Sequence, residues 1–384
     1  MPIRELARVP RITLGAGARR SLGPIAAELA PLGSTVLLVA DPGLRAGGMV
    51  DDIAGLLREA GFVVQLFTDI KSDPTIAQAD AAAKVARESG ATLLVALGGG
   101  SALDLGKAVA AIAGAALPAE AYALCAVPLP PARLKTICIP TTSGTGSETT
   151  RTAILSDPSG AKLWFWGEEL KADAVILDPE LTVSLPPHLT AATGIDALVH
   201  AVEAATNRNA HPANDVYAFE AIRLVAKHLD AAVNEPSNLE AREGLALAAA
   251  LAGTAIDNCG TAIAHNIGHA MASLRPMHHG RAVGIAMLAS LPWNVGDDPT
   301  GRFGACAAAM GAEPTGQGFI DAYEALLRAS KIHLSVAEEF AGVSAEMLAA
   351  QMGRPENIAM IRSNARDASE ADRLMLARAV LAVA

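Results

Sequence analysis

The chain has 384 residues, 51% hydrophobic but only 3% aromatic, and a formal net charge of −10. That length divides into roughly two domains, and the acidity argues against a nucleic-acid partner, whose phosphates need clustered Lys and Arg. Cys125, Cys138, Cys259 and Cys306 show no paired spacing and read as reduced thiols, and the longest apolar stretch, Ala108 to Leu117, is too short to span a bilayer, so a cytoplasmic protein with no membrane partner is expected.

Up to about residue 185, short apolar runs alternate with Ala-rich amphipathic segments. Thr35–Ala40, Phe62–Phe67 and Thr92–Leu97 read as buried parallel strands, and Gly48–Ala60 and Ile76–Ser89 as the helices between them. Such alternation implies right-handed βαβ units and a doubly wound sheet. After Pro186-Pro187 strand signals nearly vanish. Helices are expected over Thr190–Thr206, Asn214–Leu229, Leu239–Asp257, Ala262–Ser273, Gly280–Leu288, Gln317–Ser330, Ser335–Gly342 and Ala368–Val383. The expected division is an α/β domain over 1–185 and an all-α domain over 186–384.

The α/β half carries two glycine-rich turns. Gly98-Gly99-Gly100-Ser101 follows a strand and opens a helix containing Asp104 and Lys107. Glycines there let backbone N–H groups approach a phosphate, which the helix N-terminus favours. The order does not match the GxGxxG fingerprint, and an ordinary structural turn is the competing reading. A second run, Pro140 to Glu148, follows the strand Thr136–Ile139. Its hydroxyls, including Thr141, Thr142 and Thr145, suit a phosphate or ribose, or simply a polar loop. Asp41, ending its strand, stands where an acid can bind a ribose hydroxyl and repel a 2′-phosphate, favouring NAD over NADP; capping the turn before Pro42 is the alternative. Lys162, heading the aromatic run Lys162–Trp166, is assigned with these turns to the cofactor.

In the second half, four of nine histidines fall within fifteen residues: His265, His269, His278 and His279. Asp196 and His200 stand four apart, as do His265 and His269, so each pair shares one helical face. A single histidine on an Ala-rich helix reads as a core or surface residue. An Asp and three His from separate segments instead form a ligand set for a divalent first-row metal.

At this point the residues resemble a known family, the iron-containing (group III) alcohol dehydrogenases. The likeness runs through the Gly98–Ser101 turn with Asp104 and Lys107, the Pro140–Glu148 run, Ile176–Pro179 with Leu185–Pro187, Ala192–Glu203, Ala264–Ala270 and His279-Gly280. His278 departs from it, standing where relatives often have Pro. The resemblance implies an N-terminal dinucleotide-binding α/β domain and a helical C-terminal domain, the architecture shared with dehydroquinate synthase. It makes Asp196, His200, His265 and His279 the metal ligands and His269 a neighbouring proton relay. It further implies Fe(II), with Zn(II) its competitor, NAD or NADP as the hydride carrier, and a homodimer or higher homo-oligomer. The expected activity is hydride transfer between a primary alcohol, short diol or hydroxy acid and NAD. The alternatives are a zinc-type polyol dehydrogenase or a maleylacetate-type reductase of the same fold, and further off a metal-dependent lyase or hydrolase. Asn258, Cys259, Ala262 and Trp164–Trp166 are expected to line the substrate pocket.

Overall fold

The computed structural model describes residues 5–296 and 298–383. The chain forms two compact units: Arg8–Thr142 with Gly146–Ser184, and Leu185–Ala384 with Ser143–Thr145 and the stretch ending at Ala7.

The first unit alternates strand and helix: β1 (Arg11–Leu14), α1 (Leu22–Leu29), β2 (Thr35–Ala40), α2 (Met49–Glu59), β3 (Val63–Phe67), α3 (Ile76–Glu88), β4 (Ala91–Gly98), α4 (Gly100–Ile112) and β5 (Lys135–Pro140). The chain then makes a two-stranded antiparallel hairpin, β6 (Thr152–Ser156) and β7 (Lys162–Trp166), before β8 (Ala174–Leu177). The parallel sheet has the order β1-β8-β5-β4-β2-β3. Its central strands β2 and β4 are buried almost end to end, so they read as unbroken apolar runs rather than as alternations. From β2 the chain moves outward to β3, then returns to place β4 on the other side of β2. This reversal makes the carboxyl ends of β2 and β4 a topological switch point, where open α/β sheets bind ligands. Asp41 follows β2 there, and Gly98 closes β4.

The edge strand β1, its neighbour β8 and the hairpin were not anticipated from the sequence. β1 and β8 have four residues each, too few to show a period. β7 is half-buried over its first three residues, so alternation is lost.

The second unit is helical: α5 (Pro187–Thr206), α6 (Pro212–Asn234), α7 (Leu239–Cys259), α8 (Ile263–Leu274), α9 (His279–Val295), α10 (Arg302–Ala309), α11 (Gly316–Ala329), α12 (Ala345–Met352), α13 (Pro355–Ser363) and α14 (Glu370–Leu381). Pro187 starts α5 at a position where its missing N–H is harmless. One core cluster, built mostly of Ala, Leu, Val and Ile, runs through these helices. Small residues let backbones approach closely: a Cβ on Gly280 would lie 2.1 Å from the Ala192 carbonyl oxygen. Among the described residues no single helix is long and apolar enough to cross a membrane.

The helix expected at 335–342 is absent. Val336 and Phe340 are both buried and mimic helical spacing, but they close only one turn, through Phe340 N–H to the Val336 carbonyl at 2.9 Å. Gly342, at φ +79°, ends it. The helices α10, α12 and α13 were not anticipated.

Candidate active site

Three helices of the second unit bring four side chains together. Asp196 and His200 lie one turn apart on α5, His265 in the first turn of α8, and His279 begins α9. One potential ligand atom from each lies within 4.8 Å of all the others. Nδ1 of His200, Nε2 of His265 and Nε2 of His279 stand 3.8, 3.7 and 3.5 Å from Asp196 Oδ1. The His200 and His265 rings stack with centroids 4.4 Å apart. Asp196, His200 and His265 are buried, whereas the His279 side chain is 27% exposed, so solvent meets the cluster from its side.

Asp196 Oδ1, His200 Nδ1 and His265 Nε2 are buried without a hydrogen-bond partner. Leaving one such atom unpaired costs about 1–3 kcal/mol, and three converging on one point fit a divalent cation. Their electrostatics agree. Burial opposes ionisation of Asp196, but the imidazoles of His200, His279 and His265 outweigh it and hold the carboxyl well below its usual range. Burial pushes His200 down to about 4, leaving it a neutral donor. At His265 burial is overcome by Glu203 and Asp196, which lift the ring to about 9. Asp196 is thus an anion beside the neutral His200 ring, and the proton that the two carboxylates hold on His265 is the one a bound cation would displace.

Glu203 is a residue whose role the sequence reading missed. Its carboxylate accepts from His265 Nδ1 at 2.7 Å and from the backbone N–H groups of Ala262, Ala264 and His265 at 2.6, 2.7 and 3.3 Å. The signal was present in the spacing: Asp196, His200 and Glu203 fall at i, i+4 and i+7, one face of one helix. His200 is supported differently, by a hydrogen bond with the Gly144 backbone. Gly144 itself is wedged against α5, where a Cβ would lie 2.7 Å from Thr193 Cβ. The middle of the Pro140–Glu148 run, including Thr145, thus belongs with the helical unit. His269 lies beside the cluster, its ring centroid 5.2 Å from that of His279 and 6.2 Å from that of His265.

In the α/β unit, the Gly98–Ser101 turn joins β4 to α4. Gly98 adopts φ +146°, and a Cβ there would lie 2.7 Å from Ala102 Cβ and 3.2 Å from Asp41 Cβ, so only glycine fits. The helix α4 begins without a side-chain cap or an acidic residue in its first turn, which leaves its N-terminus suited to an anion. Thr141 and Thr142 adjoin the turn: Thr141 N–H donates to the Gly98 carbonyl at 3.0 Å, and Thr142 faces Gly99. Asp41 caps the turn after β2, accepting from Gly43 N–H at 2.8 Å.

The other expected cofactor residues make contacts within the α/β unit. Asp104 accepts from the Ser147 hydroxyl and from Ile154 N–H at 2.9 Å. Ser101 donates to the Ser72 carbonyl, and Lys162 pairs with Asp73 at 2.9 Å. Buried Lys107 donates to the carbonyls of Ser147, Thr150 and Thr152, and buried Lys171 to that of Thr149. Two ammonium groups thus fix the 147–152 backbone from beneath. Of the expected pocket residues, Asn258 bonds Asn214, Thr254 and Ala7, and Cys259 is buried against Asn214 and Asn209. Phe165 is core, and Trp166 lies under the Arg151 guanidinium, 4.5 Å from its ring centroid.

Comparison with known proteins agrees with this architecture. Residues 10–179 match the family described as iron-containing alcohol dehydrogenase, and residues 190–380 the C-terminal domain of the Fe-containing alcohol dehydrogenase family. A choline dehydrogenase of Bacillus subtilis is 37% identical over 78% of this chain and 74% of its own. A long-chain-alcohol dehydrogenase of Geobacillus thermodenitrificans is 38% identical over 75% of this chain and 72% of its own. The crystal structure of a sulfoacetaldehyde reductase from Bifidobacterium kashiwanohense in complex with NAD+ superposes with TM-score 0.90 at 26% identity, covering all of both chains. Two paired family matches, a doubly wound sheet with its glycine turn at the switch point, and an Asp-His-His-His cluster on three helices lead to one assignment: the chain belongs to the iron-containing alcohol dehydrogenase family.

Proposed function

We propose that this protein is a metal-dependent alcohol dehydrogenase that transfers hydride between a primary alcohol, diol or hydroxy acid and NAD, with the aldehyde as the other product. The observation that carries the reading is the convergence of three buried, unpartnered ligand atoms with His279 on one point. Asp196, His200, His265 and His279 would hold Fe(II), with Zn(II) the competing occupant, since both accept imidazole and carboxylate. A divalent ion there supplies Lewis acidity, which lowers the pKa of an alcohol hydroxyl.

The protein's own groups do the rest. The uncapped N-terminus of α4 and the backbone of the Gly98–Ser101 turn bind the cofactor's phosphates, and Asp41 accepts from a ribose hydroxyl. Thr141 and Thr142 line the adjoining turn. His269, half-buried beside His279, carries the alcohol proton toward solvent. The related proteins named above act, by their names, on choline, long-chain alcohols and sulfoacetaldehyde, so the family chemistry is constant while the substrate varies.

The test is reconstitution. Metal-stripped protein loaded anaerobically with Fe(II) or Zn(II) is offered primary alcohols, diols and hydroxy acids with NAD or NADP, and reduced-nicotinamide absorbance is followed. Turnover should require metal and prefer Fe(II) and NAD. Equal turnover after chelation would refute the reading. Higher turnover with Zn(II) would move the assignment to the zinc-type branch.

A further inference from the structure

Glu203 is 2% exposed and faces no solvent. Its four hydrogen bonds all run to one target, the start of α8. Three go to backbone N–H groups of Ala262, Ala264 and His265, and one to His265 Nδ1. The N-cap residue of α8 is Ala262, which brings no side-chain acceptor. A helix start normally needs an oxygen for its first N–H groups, and here that oxygen comes from another helix. The same carboxylate reaches the ring. A carboxylate can only accept, so Nδ1 must carry a proton, and Nε2, 3.7 Å from Asp196 Oδ1, is the nitrogen left to face an ion.

We propose that Glu203 is a positioning residue of the metal centre: one carboxylate fixes both the backbone that carries His265 and the tautomer in which His265 presents Nε2 to the ion. The inference rests on reading the four-residue cluster as a metal site. Asp196, His200 and Glu203 share one face of α5, so this helix contributes two ligands directly and governs a third. Hydrogen-bonding the far nitrogen of a ligating imidazole to a carboxylate also raises its basicity.

The experiment uses the whole chain, stripped of metal and titrated with Zn(II) against a chromophoric chelator, and nitrogen NMR of the histidine rings after zinc loading. Wild type should bind one equivalent of Zn(II), and His265 should show a protonated Nδ1 and a metal-shifted Nε2. Glu203→Gln keeps the size but turns an amide NH2 toward N–H donors. It should lower Zn(II) affinity by about 10–100-fold and change the His265 ring signals. Adding Ala262→Ser to this variant supplies a local cap, and should recover thermal stability without recovering affinity. Wild-type affinity in Glu203→Gln, or recovery of full affinity by Ala262→Ser, would overturn the proposal. The wild-type spectrum tests it even if the variants do not fold: zinc on Nδ1 of His265 would refute it. A wild type that binds no Zn(II), or whose binding survives His265→Ala, would instead sink the metal-site reading.

Discussion

The two units meet their chemical tasks by different means. In the helical unit, four side chains from three helices converge within 4.8 Å, each buried or half-buried and each of a type that donates electron pairs. In the α/β unit the corresponding surface is mostly main chain: Gly98 without a side chain, the uncapped start of α4, and a 147–152 backbone held from below by Lys107 and Lys171. A site made of side chains depends on the identity of each one. A site made of main chain depends on residues that permit or hold a conformation, so its substitutions act through shape and stability.

The sharpest test of this contrast lies among the histidines. His265→Ala and His279→Ala should each lose metal and activity together, by more than the roughly 10–100-fold seen when a residue supporting a ligand is removed. His269→Ala should keep metal while turnover falls if His269, beside the cluster, is the proposed proton relay and not a ligand. Metal content and kcat measured on the three purified variants decide the matter, and equal metal loss in all three would erase the distinction.

A second test addresses the α/β unit through Glu148. Burial pushes its carboxyl up to about 7. A raised pKa means the folded state holds the proton more tightly than the unfolded chain. Stability from this group is therefore complete below the unfolded value of 4.5 and is lost as pH rises through about 7. Glu148→Gln should remove that loss, which amounts to at most about 3 kcal/mol. Denaturant melts of both proteins between these pH values should diverge, and parallel profiles would show that Glu148 does not titrate there. Metal affinity should not change.

The smallest expected effect is at Asp41. Its carboxylate caps the turn after β2, and replacing a cap with glycine costs only a few tenths of a kcal/mol. Asp41→Gly should nevertheless raise the kcat/KM for NADP relative to NAD, because a 2′-phosphate would no longer meet a negative charge. A small stability loss with an unchanged cofactor ratio would assign Asp41 to capping alone.

Much of this arrangement could be read from the sequence, for reasons that differ by region. β2 and β4 are buried on both faces and left unbroken apolar runs. Asp196 and His200, and His265 and His269, left pairs at helical spacing. The hairpin Thr152–Trp166 left no such pattern, since Lys162–Trp164 are all half-buried and only Phe165 enters the core. The 335–342 segment showed helical spacing at Val336 and Phe340 but stops at Gly342. Spacing puts Glu203 on the same face of α5 as Asp196 and His200, but its partners lie about sixty residues further along the chain, at the start of α8, and local spacing does not name them. Asp104 and Lys107 sit in the motif expected to bind cofactor, and their side chains also hold the 147–154 segment. Their residue types alone could not separate support from contact.

The scarcity of aromatic residues has an optical consequence. The chain has only three tryptophans, and they divide cleanly: Trp164 and Trp166 stand in the hairpin of the α/β unit, Trp293 in α9 of the helical unit. Trp166 is 48% exposed. Trp293 is buried, stacked beneath the Arg366 guanidinium and donating from its indole N–H to Asp372. The emission of Trp166 and Trp293 should therefore differ in colour, red-shifted from the exposed ring and blue-shifted from the buried one. Trp293→Phe would leave a fluorescence signal that reports the α/β unit alone, and the double replacement of Trp164 and Trp166 one that reports the helical unit alone. The unfolding of each unit can then be followed in the intact chain without an added label.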